Sequence, residues 1–259
     1  MTDSAPHNNI NQTSQTLYLF KQLLVPKTLT TDTLGTSGVL FAANDGYQPD
    51  PETAVHTFCH ALPGTWHQMG VILAATDALN WFAGLVGSDA ADLTANMSEL
   101  RAPGRTVFLP YLGGERTPLN SGSVRGGFVG LDHATDRAAA TRAVLEGVTF
   151  ALADCRDALA ATGTEIETCF AIGGGSQSVY WLRAIATALN LPISVPGAGD
   201  FGGAFGAARL GMMAATGDTS IATPPPVKTV IAPDTPLTDA FAEGHERYKS
   251  AAQFLKGFS

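Results

Sequence analysis

The chain has 259 residues, of which 45% are hydrophobic and 15% charged, and its formal net charge is −8. This composition supports a buried core and excludes a chain that is disordered throughout. An acidic balance with no block of Lys or Arg argues against a nucleic-acid partner, and the longest apolar stretch, Gly70–Gly87, is interrupted by Asp77 and Asn80 and predicts no membrane span.

The first part of the chain differs in composition from the rest. Residues 1–33 are rich in Thr, Asn, Gln and Ser, with one apolar patch at Leu17–Pro26. No basic segment precedes this patch, and Lys21 and Gln22 interrupt it, so it does not resemble a signal peptide. We expect a disordered or loosely attached leader followed by one domain over residues 34–259.

From Leu34 onward the pattern predicts alternating strands and helices. Apolar runs bounded by turn residues predict strands at Val39–Ala43, Val55–Cys59, Trp66–Val71, Val107–Tyr111, Gly126–Leu131, Thr168–Ile172 and Ile193–Val195. Apolar residues at three- and four-residue steps predict helices at Val71–Leu85, Ala90–Glu99, Asp136–Ala161, Val179–Leu189, Gly203–Thr216 and Leu237–Phe258. Pro224–Pro226 is expected to close the domain. The alternation indicates an α/β fold in layers.

Two glycine clusters stand at the ends of predicted elements. Gly35-Thr36-Ser37-Gly38 precedes an apolar strand, and its local sequence fits either a hairpin turn or a turn whose N–H and hydroxyl groups meet an anion. Gly173–Gly175 lies between a strand and a helix. It fits either a tight connection or a close approach of a ligand to the backbone at a helix N-terminus. Neither cluster has the lysine of a Walker A loop or the GxGxxG spacing.

Other candidate residues give weaker signals. His56 and His60 have no third ligand nearby, so we predict no metal site. Glu115 and Arg116 form either a surface ion pair or a substrate-facing turn. The three cysteines are sparse and lack CxxC spacing, which favours a reducing, cytoplasmic environment over a disulfide framework.

Six segments together resemble one protein family. They are LGTSGVLFAA at 34–43, VHTFCHALP at 55–63, WHQM at 66–69, FLPYLGGERTP at 108–118, RAVLEG at 142–147 and IGGG at 172–175. Their order and spacing, from about Leu34 to Leu210, are similar to those of the FGGY carbohydrate kinases, in the xylulokinase-like branch. The similarity covers only the part that forms the C-terminal domain of that family.

The resemblance implies a fold, a ligand and a set of contacts. The fold would be the ribonuclease-H-like domain of sugar kinases, actin and Hsp70, an α/β domain with a mixed sheet flanked by helices. ATP with Mg would lie between this domain and an N-terminal one, and Thr36 would face the β- and γ-phosphates. The implied nucleotide-binding residues are Gly35, Thr36, Ser37, Asn80, Gly173, Gly174, Gly175, Ser176 and Gln177.

The sequence also departs from the family pattern. The family's general base is an Asp in a glycine-rich Asp–Asn segment well upstream of the Gly-Thr-Ser turn. That segment is not found here, and Asp32 lies too close to the turn to match it. Leu119 stands where His is common, and Ala139 and Ala140 depart from the second family signature.

These residues lead to one main functional expectation and an alternative. We expect ATP-dependent phosphorylation of a sugar hydroxyl, with D-xylulose favoured, when an N-terminal half complements this chain. The alternative is a catalytically incomplete nucleotide-binding fragment or remnant. An actin- or Hsp70-like ATPase is favoured less, because His56–Pro63 and Glu115–Pro118 look like sugar kinases. We expect the isolated chain to lack activity and to associate, as a homodimer or by aggregation, through the face that the other half would cover.

Overall fold

The computed structural model describes residues 30–197 and 203–257. Its strands are β1 (Thr30–Leu34), β2 (Gly38–Asn44), β3 (His56–Cys59), β4 (Trp66–Ile72), β5 (Val107–Leu109), β6 (Gly127–Val129), β7 (Cys169–Ile172), β8 (Ile193–Pro196) and β9 (Val227–Ile231). Its α-helices are α1 (Thr76–Leu85), α2 (Ala90–Thr94), α3 (Arg137–Ala161), α4 (Val179–Leu189), α5 (Gly203–Thr216) and α6 (Thr238–Lys256). Within these ranges, the predicted alternation of strands and helices is confirmed.

The main sheet has seven strands in the order β3-β4-β2-β1-β7-β8-β9. Strand β7 is parallel to both β1 and β8, and every other neighbouring pair is antiparallel. The sheet is therefore mixed, as expected. Strands β5 and β6 form a separate antiparallel pair. The carboxyl ends of β1, β7 and β8 share one edge of the sheet because these three strands are mutually parallel.

Strand β1 corrects the predicted domain boundary at Leu34. It begins at Thr30, lies between β2 and β7 in the sheet, and all five of its residues are buried. The run Thr-Thr-Asp-Thr has no apolar alternation, which is why composition assigned it to the leader. Neighbouring strands satisfy its backbone on both sides, and β-branched Thr suits a strand. Residues 1–29 of the predicted leader lie outside the described part of the chain.

Helix α3 covers one face of the sheet. A Cβ added at Gly70 would lie 2.7 Å from the Cβ of Cys155, and one added at Gly38 would lie 3.4 Å from Cδ2 of Leu152. Leu34, Leu40 and Ile72 share a buried apolar cluster with the inner face of this helix. The Asp136 carboxylate begins α3 by accepting a 2.8 Å hydrogen bond from the amide of Ala139. At Gly70 the close approach of strand and helix therefore depends on glycine, whereas the distance from a Cβ at Gly38 to Leu152 is an ordinary van der Waals contact.

Several other predicted boundaries were wrong. The helix placed at Val71–Leu85 starts only at Thr76, because β4 continues to Ile72. Helix α2 ends at Thr94, and the last helix begins at Thr238, after a short 3₁₀ turn. Pro224–Pro226 does not close the domain: the next residues form β9, an edge strand antiparallel to β8 that was not predicted.

Candidate functional site

The Gly35–Ser37 segment is the three-residue turn of the β1–β2 hairpin. Leu34 and Gly38 are register partners, so the hairpin interpretation is correct. Thr36 is exposed at the tip, and Gly35 and Ser37 are half-buried. A hairpin turn does not preclude a role in binding, because the direction of its peptide groups decides whether an anion can be held.

The N-terminus of α1 fixes the direction of those peptides. The amide and hydroxyl of Thr76 donate to the carbonyl of Gly35 at 3.0 and 2.8 Å, and the amides of Ala75 and Asp77 donate to the carbonyl of Thr36 at 2.8 and 3.3 Å. In a trans peptide the N–H points opposite to the carbonyl. The N–H groups of Thr36 and Ser37 therefore point away from α1.

Those two N–H groups are available to a ligand. Among the described residues, neither donates a hydrogen bond. Two successive amides directed to one side form a small anion-binding concavity, and the exposed Thr36 carries a hydroxyl at the same place. The turn thus combines occupied carbonyls with free donors.

The second glycine cluster contacts this turn. Gly173 has φ 93°, and a Cβ there would lie 2.7 Å from the carbonyl oxygen of Leu34 and 3.3 Å from the nitrogen of Gly35. A Cβ at Gly175 would lie 2.9 Å from that of Leu34 and 3.2 Å from Cγ2 of Thr76. Glycine is required at both places, at Gly173 by both conformation and space. Tertiary structure therefore joins the two clusters, since β1 and β7 are parallel neighbours.

Beyond Gly173 the chain forms one wall of a cleft. Residues Gly174–Gln177 make a 3₁₀ turn, and the Ser178 side chain accepts from the amide of Trp181 at 3.3 Å to begin α4. The cleft has a volume of about 500 Å³, within the range of small-molecule sites. Its lining consists of Ala171, Ile172, Gly173, Gly174, Ser176, Gln177, Val179, Leu182, Val195, Pro196, Lys228, Thr229 and Ile231.

The cleft combines apolar walls with a few polar groups. Its branched apolar side chains come from β7, α4, β8 and β9. The Ser176 hydroxyl is already committed to the carbonyl of Gly173 at 2.6 Å. Gln177, Thr229 and Lys228 supply the other polar side chains of the lining. A flat, largely apolar group with polar edges fits such a cleft.

The structure places most of the predicted site residues on one edge. Gly35–Ser37 and Gly173–Gln177 adjoin there, whereas Asn80 is exposed on α1, four residues beyond Thr76, and makes no described hydrogen bond to either segment. Thr76, Lys228 and Thr229 were not predicted from the sequence. Thr76 carried the signal of a hydroxyl at a helix start, but the helix was predicted to begin at Val71, which placed Thr76 inside it.

Asp32 lies beneath the turn and not at it. Its side chain is completely buried on β1, and neither carboxylate oxygen has a hydrogen-bond partner. Burial raises the pKa of this carboxyl from 3.8 to about 7. Its charge also contributes to raising the thiol pKa values of Cys155 and Cys169. Asp32 is therefore close to Cys155 of α3 and to Cys169 of the neighbouring strand β7. It cannot reach a substrate at the turn.

The structure contradicts both interpretations of Glu115. The side chain is buried, and its Oε1 accepts hydrogen bonds from the amides of Leu73 and Arg116 at 2.9 and 2.7 Å. Burial raises its pKa to about 8. Glu115 therefore anchors the Glu-Arg-Thr-Pro turn to the end of β4, instead of forming a surface ion pair or facing a substrate.

His60 also has a local partner. Its Nδ1 accepts from the amide of Leu62 at 3.0 Å, and burial lowers its pKa to about 4. Within residues 30–197 and 203–257, no group of three or more His, Cys, Asp or Glu side chains is arranged to hold a metal ion. No helix in these ranges is long and apolar enough to cross a membrane.

Comparison with known proteins identifies the class of domain. Residues 32–215 match the model of the FGGY family of carbohydrate kinases, C-terminal domain. The chain therefore belongs to the FGGY family, in the part that forms its C-terminal domain. The expected fold is confirmed: a crystal structure of a xyloylose kinase from Brucella ovis is similar with a TM-score of 0.90 and 52% identity, over 95% of this chain and 51% of that one.

Curated relatives give the same result. The xylulose kinase of Escherichia coli K12 is 42% identical over 217 residues, which are 83% of this chain and 43% of that protein. The xylulose kinase of Klebsiella pneumoniae is 45% identical over 183 residues, 70% of this chain and 38% of that protein. The chain thus spans less than half the length of these two relatives.

Proposed function

We propose that this domain binds Mg·ATP and is the nucleotide-binding half of an ATP-dependent sugar kinase. The observation that carries the proposal is the contact of Gly173 with Leu34 and Gly35, which joins the donor-rich turn and the apolar cleft into one surface. A nucleotide has the matching chemistry, with anionic phosphates at one end and a flat base at the other.

The phosphates belong at the turn. The N–H groups of Thr36 and Ser37 and the Thr36 hydroxyl are donors suited to phosphate oxygens. They can hold an anion without a basic surface, which agrees with the net charge of −8. Mg²⁺ bound to phosphates keeps several waters and needs few protein ligands, so the ion would be held mainly by the nucleotide.

The adenosine belongs in the cleft along Gly173–Gln177. Gly174 has open space around its Cα, since an added Cβ meets nothing within 4 Å. A base can therefore approach the backbone there and contact the apolar walls on either side. Asn80 remains a proposed contact on the same side as Thr76.

The proposed reaction is phosphorylation of a sugar hydroxyl, with D-xylulose favoured by the xylulose kinase relatives. Phosphoryl transfer depends on positioning and charge stabilisation, and here one wall of the cleft is present. We infer that a complementing N-terminal half supplies most of the sugar-binding residues and the general base. Asp32 cannot replace that base because its carboxyl is buried.

Isothermal titration with Mg·ATP tests nucleotide binding. Thr36→Ala removes a hydroxyl at the turn, and Gly174→Val fills open space on the cleft wall, so both should lower affinity. Thr223→Ala, an exposed Thr outside the cleft, and Gly122→Val, a glycine with similar open space, are matched controls that should bind normally. Wild-type affinity in both site variants would contradict the proposed site.

A coupled assay of ADP release tests the role of the isolated chain. We expect no D-xylulose-dependent release, because general acid–base catalysis alone contributes about 10²–10⁴-fold to such reactions. Addition of an N-terminal half from a xylulose kinase should restore turnover. Turnover by the purified chain alone would show that it carries its own base.

A further inference from the structure

Strand β9 brings a charged residue to the edge that carries the candidate site. Val195 pairs with Thr229 and Pro196 with Val227, with a register shift between them. Lys228 lies at this shift, and a Cβ added at Gly197 would lie 3.7 Å from the Cβ of Lys228. Because β8 runs parallel to β7, the end of β8 lies at the same edge as Gly173. Lys228 is therefore beside the cleft mouth and not at the opposite end of the sheet.

Lys228 is the single charged residue in the described lining of the cleft. The other lining residues are apolar, glycine or uncharged polar, and no described ion pair involves Lys228. Its side chain is exposed. An ammonium group with three donors and no described carboxylate partner is available to acceptor atoms of a ligand in this cleft.

The strand order limits which part of a ligand Lys228 can meet. Strands β7 and β8 separate β1, which leads into the Gly35–Ser37 turn, from β9. Three spacings of about 4.8 Å put Lys228 roughly 14 Å across the sheet from the turn. A lysine side chain reaches its ammonium nitrogen through five bonds of about 1.5 Å each, so it extends roughly 6 Å from its Cα. Phosphates held at the turn are therefore out of its reach.

We propose that Lys228 binds the nucleoside part of the nucleotide, donating a hydrogen bond to a base nitrogen or a ribose oxygen. This inference rests on the proposed nucleotide function and adds a residue from β9 to it. The apolar walls would hold the base by contact, and Lys228 would set its orientation in the cleft. If Lys228 contacts the nucleoside, a substitution of Lys228 should lower the affinity for ligands with and without phosphates by the same factor.

Titration of the full chain with Mg·ADP and with adenosine tests this inference. Lys228→Met keeps most of the length of the unbranched side chain and removes the ammonium. It should weaken both ligands by the same factor, about tenfold, as expected for one hydrogen bond to a charged group. Lys228→Arg keeps the charge and should recover most of the affinity. Lys256→Met, at the end of α6 and outside the cleft, should change neither.

The outcomes separate this inference from the function on which it rests. Weakening of ADP alone would place Lys228 at the phosphates and overturn the inference, as would unchanged binding of both ligands by Lys228→Met. If the wild-type chain bound neither ligand, the proposed nucleotide site would fail and the inference with it. Thermal unfolding of each variant at the wild-type temperature would confirm that the exposed substitutions leave the fold intact.

Discussion

The hydroxyl of Thr76 donates a 2.8 Å hydrogen bond to the carbonyl oxygen of Gly35. This bond, with the amide of Thr76 on the same oxygen at 3.0 Å, ties the first turn of α1 to the turn of the β1–β2 hairpin. The direction of the Thr36 N–H depends on that attachment, because it is opposite to the Gly35 carbonyl in the same peptide.

Thr76→Val should therefore affect binding as well as stability. Loss of the hydroxyl removes one hydrogen bond, a cost of about 1 kcal/mol in the free energy of unfolding, and loosens the turn. We expect a severalfold weaker affinity for Mg·ATP by isothermal titration. Thr94→Val is a matched control, because the Thr94 hydroxyl donates to the carbonyl of Ala90 within α2. It should lose similar stability and keep the wild-type affinity; equal losses of affinity in both variants would contradict a specific role for Thr76.

Two adjacent glycines in the second cluster should differ in how much an alanine substitution changes the free energy of unfolding. At Gly173 the new Cβ would lie 2.7 Å from the carbonyl oxygen of Leu34, and the residue has φ 93°. Gly173→Ala should lower the free energy of unfolding by about 1–3 kcal/mol through strain. Gly174→Ala adds a methyl group where nothing lies within 4 Å and should change it by less than about 0.5 kcal/mol. Urea unfolding measures both, and similar losses would show that space and conformation do not distinguish them.

Asp32→Asn should stabilise the protein, by an amount that depends on pH. The pKa of Asp32 is raised from 3.8 to about 7 in the folded state, so between these values the unfolded carboxyl is ionised while the folded one is protonated. The contribution of Asp32 to the free energy of unfolding of the wild type therefore falls as pH rises from about 4 to 7 and is level above about 7. The asparagine variant lacks this loss, which is about 4 kcal/mol at pH 8 at 1.36 kcal/mol per unit of pKa.

Urea unfolding of the wild type and Asp32→Asn at pH 4.5, 6 and 8 checks this dependence. The difference between the two proteins should grow with pH. Burial also raises the pKa values of Glu115 and Glu146, to about 8 and about 7, but both groups are present in both proteins and cancel in the difference. A difference that is constant with pH would mean that Asp32 does not titrate in this range.

Asp154→Ala should destabilise the packing of α6 on α3. Asp154 of α3 lies 2.7 Å from Nε2 of His245 of α6, and both side chains are buried. Removing one partner leaves the imidazole nitrogen without its hydrogen bond, at a cost of about 1–3 kcal/mol. Differential scanning calorimetry should show a Tm lower by several degrees. Asp157→Ala, three residues along the same helix at a more exposed position, should lower Tm much less.

The parts of the fold that the sequence predicted are those with a strong local pattern. Helix α3 extends from Arg137 to Ala161, close to the predicted range, because its apolar residues recur with the helical period and Asp136 begins it. Strand β1 and strand β9 were not predicted. The former has polar residues at buried positions and the latter is an exposed edge, so neither shows the alternation of a half-buried strand.

The candidate site also contains residues that a local sequence pattern predicted and residues that only the packing of the domain placed there. The glycines at 35 and 173–175 were identified from their order and spacing, because turns and close backbone approaches limit those positions to glycine. The burial of Glu115 and Asp32 was not predicted, because burial depends on what packs against a residue and not on its neighbours in the chain. Lys228 belongs to the cleft only through the pairing of β9 with β8.

The sequence by itself determined the family, the strand–helix alternation and the two glycine clusters, since these depend on residue type and local spacing. Only the tertiary structure decided that the clusters touch, which peptide N–H groups remain free, and which charged residue lies beside the cleft. Parallel pairing of β1 with β7 sets residues that are 138 positions apart, Gly35 and Gly173, at one edge of the sheet. That contact arises from strand register, which is set by packing across the whole domain.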